Sequence, residues 1–175
     1  MLETSLRQPF RLRRGGVVAL AIILVSIVPF APRMASSLGD FAPHAPDWAL
    51  WIRLPFAVQL HVMAAVTALL VGLIILFRKK GTGFHKTLGW TWVLAMGTTA
   101  VSSLFITGLN GNFYSFIHLL SGWTIIGLPM AVYAIRRGQV VTHKKAMTGM
   151  FVGGLLVAGA FAFLPGRFMF EFLLG

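Results

Sequence analysis

Four of the five histidines in this 175-residue chain fall into two matched pairs. His61 precedes His85 by 24 residues, and His118 precedes His143 by 25. A neutral imidazole is a good ligand for iron, copper and zinc, and it is the side chain that exchanges a proton near neutral pH. Two imidazoles on facing helices can hold the iron of a b-type haem from both sides of the ring, and the interiors of helical bundles accommodate such sites. The pairing therefore raises one specific chemistry, one-electron transfer through bis-histidine haem. Two broader ones stand beside it, a non-haem metal site and a proton relay. His44, beside Pro43 in a loop, is read as incidental.

The elements that must position these rings are membrane helices. Apolar residues make up 57% of the chain and charged residues 11%, whereas a soluble domain is about one quarter charged. A chain this short has too little interior to hide that much apolar surface from water. Five apolar runs, at 15–32, 54–77, 88–109, 113–135 and 146–165, match the length of roughly 20 residues that crosses the hydrocarbon. They lack the period-two alternation of barrel strands. The expected fold is a single all-α transmembrane domain over residues 1–175, with five helices.

Charge sets the expected orientation. Arg7, Arg11, Arg13 and Arg14, then Arg78, Lys79, Lys80 and Lys86, then Arg136, Arg137, Lys144 and Lys145 fall on one side. These are twelve of the fifteen basic residues; Arg33, Arg53 and Arg167 are on the other side with Asp40, Asp47 and Glu171. Basic loops stay cytoplasmic, so the N-terminus is expected in the cytoplasm and the chain in the inner (cell) membrane. The net charge of +11 thus reads as topology and attraction to lipid headgroups. No nucleic-acid-binding motif accompanies it. Arg11-Leu12-Arg13-Arg14, the apolar stretch and Ala35-Ser36-Ser37 resemble a signal peptide. The run is at the long end for one, so an uncleaved first helix is the expectation.

The second and third runs resemble the fourth and fifth. Arg78-Lys79 stands seven residues before His85, Arg136-Arg137 stands seven before His143, and each of these histidines precedes a lysine, Lys86 or Lys144. The expectation is a duplicated helical hairpin giving a four-helix bundle beside the N-terminal helix. His61 and His118 fall near the outer ends of their helices, and His85 and His143 at the inner starts of theirs. From His61 to Phe77 is 16 residues, about 24 Å of helix, so the pairs lie near opposite faces. Ala64, Ala65, Gly89, Gly122 and Gly149 could leave room for a macrocycle, and Lys86, Lys144 and Arg53 could meet its propionates. The bland alternatives are that the small residues serve close packing and the cations snorkel.

Other chemistries find little. There is no Cys, which excludes thiolate catalysis and iron–sulfur ligation. The spans hold no Asp or Glu, which argues against a carboxylate-coupled transporter. Ser102, Ser103, Thr98 and Thr99 are expected to bond backbone or neighbouring helices. A non-enzymatic scaffold or small-solute permease is the alternative function.

Several strings resemble a bacterial predicted-membrane-protein family, domain of unknown function 2306. They are Gly83-Phe84-His85-Lys86-Thr87-Leu88-Gly89-Trp90-Thr91-Trp92-Val93, Ile117-His118-Leu119-Leu120-Ser121, Arg136-Arg137-Gly138 with His143-Lys144-Lys145-Ala146-Met147, and Phe163-Leu164-Pro165-Gly166-Arg167. The resemblance covers most of the chain from the second helix onward and carries no activity with it. This chain has Phe170 where that family often has a histidine, so no C-terminal histidine is implied. In architecture the alternating pairs are similar to the cytochrome b561 type of electron carrier. That likeness implies two haems b, His61 paired with His118 and His85 with His143. A quinone or another electron carrier would be the partner in the membrane.

Overall fold

The computed structural model describes residues 43–106 and 116–174. The expected helix at 15–32, with the four arginines before it, lies outside the described residues, as does the junction at 107–115. Among the described residues the fold is all-helical, with no strand. In order it has α1 (Trp48–Ile52), α2 (Phe56–Phe77), α3 (Gly83–Ser103), α4 (Phe116–Arg136) and α5 (Val140–Gly149). A π-helical segment π1 (Met150–Val157), α6 (Ala158–Ala162) and α7 (Phe168–Leu173) follow. α5, π1 and α6 run on as one rod.

Among the described residues three helices are long and apolar enough to cross a membrane, at Phe56–Phe77, His118–Arg136 and Val140–Ala162. α3 has 21 residues, but Lys86 and its many Thr and Ser residues lower its hydropathy, and it is not one of the three. Two helices begin earlier than their apolar runs. Thr82 caps α3, its Oγ1 accepting from His85 N–H at 3.2 Å. The polar first turn of the last rod is likewise helical, from Val140. His85 and His143 therefore sit inside first turns, fixed by backbone.

The bundle closes as a ring. α2 packs on α3, α3 on α4 and α4 on α5, while π1 returns against α2 and α4. At one end two short basic loops join α2 to α3 and α4 to α5. Each turns on a left-handed glycine, Gly81 (φ 83°) and Gly138 (φ 73°), a conformation closed to most side chains. At the other end α1 and α7 meet. His44 N–H donates to the Leu173 carbonyl and Asp47 N–H to the Phe172 carbonyl, and Trp48 and Trp51 pack on Phe172 and Phe168. These four aromatic residues form one cluster.

Lipid tails are as apolar as leucine, so helices in a membrane associate through close packing rather than through escape from water. α2 offers Ala64, Ala68 and Gly72, four residues apart and all buried. Ala68 of this stripe joins Trp92 and Met96 of α3, Leu128 and Ala131 of α4, and Met150, Phe151 and Leu155 of π1 in one core cluster. The fit is tightest at Gly72, where a Cβ would stand 2.4 Å from Phe151 Cε2 and 2.8 Å from Trp92 Nε1. Gly72→Ala is therefore expected to destabilise the bundle by about 1–3 kcal/mol, the usual cost of overpacking. Thermal unfolding in detergent would measure this; an unchanged midpoint would show that Phe151 and Trp92 are not held against α2.

Candidate functional site

The four histidines occupy two levels, one on each side of the apolar centre. His61 lies in the second turn of α2, half-buried, with its ring turned toward α3. Its Nδ1 is 2.9 Å from the Thr99 carbonyl and 3.3 Å from Ser102 Oγ. A carbonyl only accepts, so Nδ1 carries the proton and the neutral ring keeps its lone pair on Nε2. Ser102 Oγ is 2.6 Å from the Thr98 carbonyl. Ser103 bonds the Ala100 carbonyl and, at 2.5 Å, Ser121 Oγ of α4. One turn before Ser121, at the same level, is His118, whose Nε2 is buried. A belt of polar groups therefore runs from α2 across α3 to α4.

The second level is at the basic end. His143, in the first turn of α5, donates Nδ1–H to the Ala131 carbonyl of α4 at 2.9 Å. The same reasoning leaves its lone pair on Nε2. His85 precedes the apolar part of α3, which starts at Leu88. Its Nδ1 is buried and has no hydrogen-bond partner.

Three of the histidines have a small residue one turn further on the same face: Ala65 after His61, Gly89 after His85 and Gly122 after His118. A Cβ at Gly89 or Gly122 would meet nothing within 4 Å, so there is open space beside both. Lys86 and Lys144 are exposed at the basic end, and Arg53, exposed, caps α1 at the other. Two surface grooves of about 370 and 350 Å³ lie along α4, and none of the four histidines lines either.

The sequence pointed to the ring-bearing residues but not to the groups that orient them. Thr99 and Ala131 act through main-chain carbonyls, for which no side-chain signal exists. Ser102 and Ser103 do bond backbone, as expected, and Ser121 as the cross-helix partner of Ser103 was not singled out.

The long apolar helices and the polar levels between them define an integral membrane protein of the multi-span helical kind. A family model described as predicted membrane protein (DUF2306) matches residues 58–164, more than half of the chain, and the protein belongs to that family. The match takes in all four histidines. Comparison with curated proteins and with solved structures gives no match.

The imidazole–carbonyl bond makes a clear prediction. His61→Asn places an amide N–H near the position of Nδ1 and is expected to keep most of the α2–α3 tie, while His61→Leu loses it, by about 0.6 kcal/mol and up to roughly 1.7. Unfolding of both variants in the same detergent compares them. Equal loss in both would show that the ring, rather than the bond, matters.

Proposed function

We propose that this protein holds two b-type haems and carries electrons between the faces of the inner (cell) membrane. In this reading His61 and His118 take one haem at the acidic end, and His85 and His143 take the other at the basic end. The observation that carries it is the fixed tautomer of His61 and His143. Each gives Nδ1–H to a carbonyl of a neighbouring helix and so presents Nε2 as a lone pair, the arrangement that orients ligating histidines in metal sites. The open space beside Gly89 and Gly122 supports it further, because a planar macrocycle needs small residues next to its ligands. Haem iron would supply the one-electron chemistry by cycling between ferric and ferrous states. The protein residues would hold the iron, exclude water from it, and meet the propionates through Lys86 and Lys144 at one end and Arg53 at the other. A quinone or another carrier would give or take the electron.

The topology that goes with this reading has α3 as a further span. Its 21 residues cover about 31 Å, the thickness of the hydrocarbon, and it packs between two spans, α2 and α4. The matching basic loops and left-handed glycines support a duplicated hairpin, α2–α3 and α4–α5. The basic loops would face the cytoplasm, with the N-terminal helix as the fifth span.

Two alternatives have less behind them. Among the described residues no three His, Cys, Asp or Glu side chains converge, so a non-haem site would lack the three or four protein ligands that zinc usually takes. A permease needs a polar path, and the centre of the bundle is filled by Trp92, Met96, Met150 and Phe151. The test is an absorption spectrum of detergent-purified protein expressed with ample haem, before and after dithionite. A Soret band that shifts on reduction is expected, and His61→Ala or His118→Ala should halve the haem content while His85 and His143 keep the rest. Colourless protein would end this reading, and full haem content in those variants would end the pairing.

A further inference from the structure

The basic end carries Arg78, Lys79, Lys80, Lys86, Arg136, Arg137, Lys144 and Lys145. Among the described residues the acidic side chains are Asp47 and Glu171, and both sit at the opposite end, beside α1 and α7. Among the described residues no carboxylate balances this cationic surface. All eight are exposed, and Arg136 in addition stands at the head of a groove of about 370 Å³ between α3 and α4. Trp90 and Val93 form one wall, and Leu128, Pro129 and Val132 form the other. The wall is apolar, yet Pro129 has no N–H to give, so the Ile125 carbonyl on the preceding turn receives no bond from it. The Arg136 guanidinium lies over the Trp90 ring at 5.9 Å from its centroid, which holds it at the groove head by a cation–π contact. Tyr133, beside it in the groove, accepts from Arg137 Nε at its hydroxyl at 2.9 Å. Two guanidiniums are thus ordered at the end of one apolar channel.

We propose that this groove is a binding site for one anionic phospholipid of the adjoining leaflet. Its phosphate meets Arg136, with Arg137 alongside, and one acyl chain lies along Val93, Leu128 and Val132. The charge sign selects the lipid class and the groove supplies the shape; basic pockets between membrane helices recognise anionic headgroups in this way. The site is on the outer surface of α3 and α4, away from the four histidines, so it stands whether or not haem binds.

Native mass spectrometry of the full chain in detergent, titrated with phosphatidylglycerol and separately with phosphatidylcholine, tests this. One phosphatidylglycerol is expected to stay bound under conditions that strip phosphatidylcholine. Arg136→Gln should weaken retention about fivefold, the effect of one cation at a headgroup. Arg78→Gln, which removes a cation held over Phe84 at the same end, should leave it unchanged. Val132→Phe fills the groove, keeps every charge, and should also expel the lipid. Equal retention of both lipids, equal weakening by Arg136→Gln and Arg78→Gln, or full retention by Val132→Phe would each overturn the site.

Discussion

A polar group inside a bilayer must find its partner within the protein, because no water is there to serve it. The rest of this structure depends on how two imidazoles meet that demand. His61 reaches from α2 to a carbonyl of α3, and His143 reaches from α5 to a carbonyl of α4. Each bond ties a helix to its hairpin partner, fixes the ring plane and decides which nitrogen keeps its lone pair. Structure and candidate chemistry thus come from the same two contacts. Without them the rings would be mobile polar groups in an apolar setting, costly to hold there and useless as ligands.

Between the two levels the bundle is apolar and tightly filled. The Ala64, Ala68 and Gly72 stripe lets Trp92 and Phe151 come close to the α2 backbone. The approach has a cost, since Trp92 Nε1 is buried without a hydrogen-bond partner, typically about 1–3 kcal/mol. The π-helical turn of the last rod supplies Met150 and Phe151 to the same centre, and π-segments of this kind often sit at functional positions. The result is a low-dielectric layer between the belt of His61, Ser102, Ser103 and Ser121 and the histidines of the basic end. For a carrier of electrons, such a layer keeps the two levels electrically distinct.

Much of the fold could be read from the residues alone. The run ending at Phe77 and the one ending near Arg136 were legible because long apolar stretches have few alternatives to a membrane helix. α3 and α5 start several residues before their apolar runs, because Thr82 capping and the backbone of a basic turn extend helices beyond their apolar part. α3 was counted with the spans on its apolar run, while its Ser and Thr content sets it apart by hydropathy. The histidines were legible as paired residues, but their hydrogen bonds were not. A carbonyl acceptor such as that of Ala131 leaves no trace in residue type. Nor did the spacing suggest that Arg136 and Trp90, 46 positions apart, would meet at the head of one groove.

The most direct measurement is the protonation of each imidazole nitrogen. Nitrogen-15 NMR of histidine-labelled protein in bicelles, with His61→Asn and His143→Asn to assign the signals, distinguishes a protonated nitrogen from a bare one. Protonated Nδ1 and bare Nε2 are expected at both His61 and His143. Bare Nδ1 with protonated Nε2 at either position would contradict this, since that ring could neither donate to its carbonyl nor offer Nε2 to a metal.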